Sequence, residues 1–131
     1  MTSVNDIMAR NLCVVSRQSK ITEVSDLFKR NGVGSLLVKD KDQFVGIITE
    51  TDIVHKVVAK GLSPHITKVD AVMSYPLIGI DPACGADEAA EKMLENGIRH
   101  LAVMRGDEVV GMISMRDLMR SLLGRPEGAG S

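Results

Sequence analysis

With 131 residues, the chain is long enough for one compact domain or for two small halves that fold together. A net charge of −1 and an aromatic content of 2% argue against nucleic-acid binding, which needs a basic surface and base-stacking side chains. The apolar runs are shorter than the ~20 residues that span a bilayer, and the first residues do not resemble a signal peptide, so we expect a cytoplasmic protein.

The predicted elements follow the same order twice, because residues 4–60 align without a gap with residues 69–125 at an offset of 65 positions. Periodicity and turn residues in the first copy predict strand, helix, strand, strand and helix over residues 12–15, 19–32, 33–39, 44–48 and 50–59. The second copy predicts the same series over residues 77–80, 86–97, 98–104, 109–113 and 115–123. Both first helices end at an Asn-Gly pair, where glycine can adopt the left-handed conformation that closes a helix.

The repeat predicts two domains, residues 1–60 and 69–125, joined by a linker over 61–68. The linker contains a Ser-Pro pair, and the glycine-rich residues 126–131 are predicted to form a disordered tail. A lone core is marginal at the size of one half, so we expect the halves to bury a shared face. The expected fold is α+β, with two small packed sheets and the helices outside.

The candidate functional residues lie where the last strand of each copy meets its last helix. Residues 46–52 and 111–117 share the pattern Gly, two aliphatic residues, a hydroxyl residue, two variable residues and Asp. A hydroxyl residue followed by an acid three positions later resembles a helix capping box, although the usual acid is the longer Glu or Gln. A helix start also suits a phosphate, and a carboxylate can accept two hydrogen bonds from a vicinal diol. The pattern therefore predicts a helix cap, a nucleoside-phosphate site, or both roles in the same residues.

The chain resembles a tandem pair of cystathionine-β-synthase (CBS) domains, a Bateman module, over roughly residues 4–125. The resemblance rests on the duplicated junctions, on the Met that precedes each first strand, and on Gly-Ile-Arg-His-Leu-Ala-Val at residues 97–103. It implies a free-standing regulatory module that binds an adenosine-containing ligand in clefts between the two domains. AMP, ADP or ATP are the expected ligands, with S-adenosylmethionine and NAD as further candidates.

Position by position, the resemblance implies two ligand sites. In the first, Asp52 binds the ribose diol, Thr49 stands at the helix start, and the adenine slot is lined by Met8, Cys13, Val33 and Ile47. In the second, Asp117 and Ser114 take these roles, and the slot is lined by Met73, Ile78, Ile98 and Met112.

The resemblance also implies an asymmetry in phosphate binding. Arg99 and His100 are expected to face the first site, whereas the matching positions for the second are Gly34 and Ser35. Phosphorylated ligands are therefore expected to prefer the Asp52 site. Arg116, beside Asp117, is the residue expected to compensate at the second site.

Other kinds of function have weaker sequence signals. The sequence has no nucleophile–base constellation, P-loop or dinucleotide fingerprint, so no enzyme activity is predicted. His55, His65 and His100 lack metal-ligand spacing, and Cys13 and Cys84 are not repeat equivalents, so we expect no metal and two reduced thiols. The alternative function is a ligand-free protein–protein interaction module.

The second helix of each copy carries more apolar residues than one core-facing stripe requires, namely Ile53, Val54, Val57 and Val58, and Leu118, Met119, Leu122 and Leu123. Uncovered apolar surface of this kind marks an interface, which predicts a homodimer paired through these helices. The resemblance implies the same, a flat disc of four CBS domains. The alternative is that both stripes only cover their own sheets.

Overall fold

A computed structural model describes residues 2–124, so the predicted tail over 126–131 lies outside the described residues. The described chain divides into two compact units. One is formed by residues 13–77 and is called here the Asp52 unit. The other is formed by residues 2–12 together with 78–124 and is called the Asp117 unit.

The Asp52 unit contains the elements of the first repeat in the predicted order. They are β1 (Val14–Ser16), α2 (Ile21–Asn31), β2 (Ser35–Asp40), β3 (Gln43–Thr49) and α3 (Glu50–Ile53), with a π-helical segment over Val54–Val58 and a 3-10 turn over Val69–Ala71. Helix α2 buries one apolar face and ends at Gly32, whose φ of 62° confirms the left-handed ending expected there.

The Asp117 unit repeats this architecture with one additional short helix at its start. Its elements are α1 (Val4–Ile7), β4 (Gly79–Ile80), α4 (Ala86–Asn96), β5 (His100–Arg105), β6 (Glu108–Ser114) and α5 (Met115–Leu122). Helix α4 also ends at a left-handed glycine, Gly97 with φ of 62°. The predicted α+β fold, with two small sheets and accompanying helices, is confirmed.

Each unit has one three-stranded sheet of the same topology. The first strand pairs in parallel with the second, and the second pairs antiparallel with the third, in the orders β1-β2-β3 and β4-β5-β6. The register shifts once in each hairpin, between Val38 and Lys39 and between Val103 and Met104. These positions are repeat equivalents, so the duplication extends to the irregularities of the sheet.

Each unit is completed by a segment from the start of the other repeat. In the Asp52 unit, Ile47 and Ser74 exchange backbone hydrogen bonds of 3.0 and 2.8 Å; in the Asp117 unit, Met112 and Ala9 do so at 2.9 and 2.8 Å. The compact units therefore do not coincide with the sequence repeats of residues 1–60 and 69–125. The pairing is decided by backbone hydrogen bonds between residues distant in the chain, which side-chain periodicity does not encode.

This pairing explains why both junction motifs begin with glycine. A Cβ added at Gly46 would lie 2.7 Å from the Ser74 carbonyl oxygen, and one at Gly111 would lie 2.9 Å from that of Ala9. Such distances are too short for carbon and oxygen in van der Waals contact. The two glycines leave room for the segments that pair with β3 and β6 beside the candidate sites.

The second helix of the first repeat differs from the continuous helix predicted over 50–59. After one α-helical turn, the chain continues as a π-helix in which Ala59 N–H donates to the Val54 carbonyl at 2.9 Å. Apolar periodicity does not distinguish α from π turns over so short a span, which is why the sequence did not reveal it. The equivalent α5 is regular.

Each unit has its own aliphatic core. The largest fully buried side chains of the Asp52 unit include Ile21, Leu36, Ile48 and Val57, and those of the Asp117 unit include Met8, Met93, Leu101 and Ile113. No helix among residues 2–124 is both long and apolar enough to cross a membrane.

Candidate functional site

The junction of β3 and α3 is a complete capping box. Thr49 N–H donates to Oδ2 of Asp52 at 3.0 Å, and Asp52 N–H donates to the Thr49 hydroxyl oxygen at 3.2 Å. The capping interpretation of the motif is therefore confirmed, and the short Asp side chain reaches as far as the cap requires. Capping satisfies N–H groups that the first helical turn leaves without partners.

The Asp52 carboxylate is buried, with 5% of the residue exposed, and its other oxygen is also occupied. The Ser74 hydroxyl donates to Oδ1 at 2.9 Å, and the Lys56 ammonium lies 2.9 Å from the same oxygen. Lys56 also donates to the Val72 carbonyl at 3.0 Å and to the Ser74 hydroxyl oxygen at 3.3 Å. The negative charge of Asp52 is thus compensated inside its own unit.

The junction of β6 and α5 repeats the cap but not its surroundings. Ser114 N–H and hydroxyl donate to Oδ2 of Asp117 at 2.8 and 3.0 Å, and Asp117 N–H donates back to the hydroxyl oxygen at 3.1 Å. Oδ1 has one longer contact, 3.4 Å to Nη1 of Arg120. The repeat equivalent of Ser74 is Ala9, which has no side-chain donor.

Arg120 is a buried cation with spare hydrogen-bonding capacity. The residue is 9% exposed, and its Nη2 has no hydrogen-bond partner among the described residues. Burying a guanidinium nitrogen away from water without another acceptor lowers the stability of the fold. Helix α5 therefore combines a partly satisfied carboxylate in its first turn with a donor in its last turn that lacks an acceptor among the described residues.

Three other basic side chains, for which the resemblance implies ligand contacts, also belong to the Asp117 unit. Arg99 and Arg116 are exposed, and His100 is half-buried at the start of β5, opposite Ser114 in the sheet register. Burial lowers the pKa of His100 below 6.5, the Arg99 and Arg116 charges lower it further, and Asp117 opposes them. His100 is therefore biased towards the neutral imidazole, a form that can both donate and accept a hydrogen bond.

This lowered pKa predicts a pH dependence of stability. The unfolded chain takes up the His100 proton at higher pH than the folded chain, so its contribution to stability is fully present above pH 6.5 and is lost as the pH falls below it. Thermal unfolding between about pH 7.5 and 5 should show a shallower pH dependence in H100Q than in the wild type. His65 is exposed, so H65Q is the matched control and should retain the wild-type slope. Equal slopes for H100Q and wild type would contradict the prediction.

The expected adenine-lining residues of each site are divided between the two units, and their roles stay a prediction. Cys13, Val33 and Ile47 lie in the Asp52 unit as expected, and Ile78, Ile98 and Met112 lie in the Asp117 unit. The two methionines are interchanged, because each precedes the segment that pairs with the other repeat. Met8 belongs to the Asp117 unit and Met73 to the Asp52 unit, where both are buried.

Three residues at the junctions were missed by sequence reasoning. Lys56 had a usable signal, since an acid and a lysine four positions apart lie on one helical face. Arg120 had a similar signal, because it follows Asp117 by three positions and so lies on the same helical face. Ser74 had none, because it is 22 positions from Asp52 and reaches it only through the pairing with β3.

The two cysteines and the histidines considered as metal ligands all lie within the described residues. Cys13 and Cys84 are free thiols in different units. Partial burial raises the pKa of Cys84, and Glu88 raises it further. Across residues 2–124, no group of three His, Cys, Asp or Glu side chains is placed to hold a metal ion.

Comparison with known proteins gives a consistent result along the whole repeat. The family model described as "CBS domain" matches residues 4–59 and 69–124. The CBS domain-containing protein YhcV of Bacillus subtilis is 30% identical over 131 residues, covering 100% of this chain and 92% of YhcV. The uncharacterized protein MK0525 of Methanopyrus kandleri is 31% identical over 120 residues, covering 90% of this chain but 61% of MK0525.

Solved structures agree with these relatives. A protein with CBS domains from Burkholderia ambifaria superposes with a TM-score of 0.86 at 33% identity, covering 88% of this chain and 85% of that one. A hexameric CBS-CP12 protein from bloom-forming cyanobacteria superposes with a TM-score of 0.84 at 27% identity, covering 97% and 77%.

Proposed function

Because this chain belongs to the CBS-domain family, in which it matches two tandem domains, we propose that it is a regulatory module that binds an adenosine-containing ligand through Asp52 and Asp117. In this proposal the module is regulatory rather than catalytic, and it signals through a partner protein or through a change of oligomeric state. AMP, ADP or ATP are the proposed ligands, with S-adenosylmethionine and NAD as further candidates.

The observation that carries the proposal is that the capping box uses only one oxygen of each carboxylate. At Asp117, Oδ2 serves the cap, while Oδ1 has only the 3.4 Å contact with Arg120. The two hydroxyls of a ribose are donors that such an oxygen can accept. The Nη2 of Arg120, which lacks a partner among residues 2–124, can in turn donate to a ligand oxygen.

The basic side chains near the start of β5 supply the proposed phosphate contacts. Arg99 is exposed and unneeded by the core, and the resemblance assigns this position to phosphate. R99A should weaken AMP binding by about tenfold or more, since a charge-assisted hydrogen bond contributes roughly 1.5–3 kcal/mol. Adenosine, which has no phosphate, should be much less affected. Equal losses for AMP and adenosine in calorimetric titrations would remove Arg99 from the phosphate site.

The ligand itself is tested by calorimetric titration of the wild-type chain with AMP, ADP, ATP, NAD and S-adenosylmethionine. We expect at least one to bind, with a stoichiometry of up to two per chain. If none binds, the junctions serve only as helix caps. The alternative of a ligand-free interaction module would then replace the proposal.

We also propose that the chain forms a homodimer through its second helices. Part of each predicted apolar set is core, since Val57 and Leu118 are buried. Ile53 is half-buried against the core. The other residues of the two sets are exposed: Val54 by 54%, Val58 by 68%, Met119 by 51%, Leu122 by 79% and Leu123 by 64%. In the Asp52 unit, Val54 and Ile53 also line a shallow groove with Phe28 of α2. Exposed apolar surface of this kind favours pairing with a second copy, although the CBS-CP12 neighbour is a hexamer.

A further inference from the structure

We propose that Lys56 is a built-in competitor for the ribose-binding oxygen of Asp52, so that a ribose diol binds at Asp117 before it binds at Asp52. The inference rests on the proposed function and concerns the regulation of the same sites. It gives a role to a side chain that neither the repeat nor the family resemblance identifies.

Both oxygens of the Asp52 carboxylate are occupied by groups of its own unit. A carboxylate has about four acceptor positions, two on each oxygen. Oδ2 accepts from the N–H and the hydroxyl of Thr49 at 3.0 and 3.2 Å. Oδ1 accepts from the Ser74 hydroxyl at 2.9 Å, and the Lys56 ammonium forms an ion pair with it at the same distance. A diol that binds Oδ1 must therefore compete with the Ser74 hydroxyl and the Lys56 ammonium.

The Asp117 carboxylate has fewer close partners. Its Oδ2 has the same two capping donors, but Oδ1 has only the 3.4 Å contact with Arg120. Ser74 is replaced at the equivalent position by Ala9, and Lys56 by Ser121, for which no contact with the carboxylate is found among the described residues. One acceptor position on Oδ1 is open and the other holds only this long contact, so a diol meets less competition there than at Asp52.

Lys56 is the donor at Asp52 that is most easily displaced. The Thr49 N–H belongs to the backbone of the cap and is held in place, whereas the Lys56 side chain is 39% exposed. Its ammonium also keeps the Val72 carbonyl at 3.0 Å and the Ser74 hydroxyl at 3.3 Å as partners. When the ammonium leaves Oδ1, it exchanges one contact and does not become a buried cation without partners, which would be costly.

The expected consequence is an ordered response to ligand concentration. The junction without a competitor fills first, and the junction of Asp52 fills only when the ligand is concentrated enough to displace Lys56. This order is the reverse of the preference for the Asp52 site that the resemblance implies for phosphorylated ligands, and it replaces that expectation. Because a competitor lowers affinity in proportion to the fraction of time it occupies the site, removing it raises the affinity at Asp52 alone.

The test is calorimetric titration of two variants in which Asp117 is replaced, D117N and D117N/K56M, with AMP and with 2′,3′-dideoxy-AMP. The side chain in D117N would keep one oxygen for the cap but would lack the negative charge of the carboxylate. The heat of AMP binding then reports on the Asp52 site. K56M preserves the length of the side chain and removes the ammonium. We expect D117N/K56M to bind AMP about five- to tenfold more tightly than D117N, with no gain for the dideoxy analogue. K60M, a change at an exposed lysine of the same region, is the matched control and should leave both affinities unchanged.

S74A provides a second route, because it removes one Oδ1 donor without altering charge and should raise AMP affinity by a smaller factor than K56M. Unchanged or weaker AMP binding in both D117N/K56M and D117N/S74A would overturn the competitor role while leaving adenosine binding intact. Loss of all AMP binding in D117N, with binding retained in the wild type, would also overturn it, since Asp52 would then bind no diol. A wild-type chain that binds neither AMP nor any other adenosine ligand would refute the proposed function and this inference together.

Discussion

Replacing both junction aspartates, D52A together with D117A, should abolish binding of the adenosine ligand while the chain remains folded. Each Asp is proposed to accept two hydrogen bonds from the ribose diol, and a hydrogen bond to a charged group contributes roughly 1.5–3 kcal/mol. Loss of either aspartate should therefore weaken its own site at least tenfold. Titration calorimetry on the two single variants and the double variant, with circular dichroism to verify folding, measures the effect.

The loss of binding must be separated from the loss of the cap. Removing a capping side chain costs about 0.5–2 kcal/mol of stability, so both single variants should also unfold at lower temperature. Glu50 is an exposed acid in the same helical turn as Asp52, which makes E50A the matched control. E50A should bind the ligand as the wild type does. Wild-type affinity in the D52A/D117A variant would reduce both junctions to helix caps.

The second large effect is expected on assembly. In light scattering at micromolar concentration, the wild-type chain should have about twice the mass of a 14.1 kDa monomer. The V58E/L122E variant should be monomeric, because burying each apolar side chain contributes about 1.5–3 kcal/mol and each change occurs twice in a two-fold interface. This corresponds to at least about a hundredfold weaker association.

Leu94 tests whether the effect is specific to the second helices. It is 76% exposed on α4, so L94E adds the same charge to an equally accessible apolar position. L94E should keep the wild-type mass. A wild-type mass near 14.1 kDa would refute the dimer, and a mass near six chains would indicate an assembly like that of the hexameric CBS-CP12 neighbour.

The sequence by itself determined the family, the order of elements and the position of both junctions. These features are written in short-range patterns. Apolar periodicity predicts the helices and strands, Gly32 and Gly97 end the first helices, and the hydroxyl residue three positions before each Asp predicts the cap. Because the pattern occurs twice, each copy supports the interpretation of the other. The capping interpretation and the ligand interpretation were both open from the sequence, and the structure confirms the first.

The tertiary structure alone decided which segment completes which unit, and with it the surroundings of each carboxylate. Ser74 reaches Asp52 because it pairs with Ile47 of β3, while Ala9 pairs with Met112 at the equivalent place in the Asp117 unit. This pairing depends on backbone hydrogen bonds and on the space left by Gly46 or Gly111. Apolar periodicity encodes neither of them. Two motifs that are nearly equivalent in sequence therefore hold carboxylates of different availability. The difference comes from donors that only the folded chain brings within hydrogen-bonding distance.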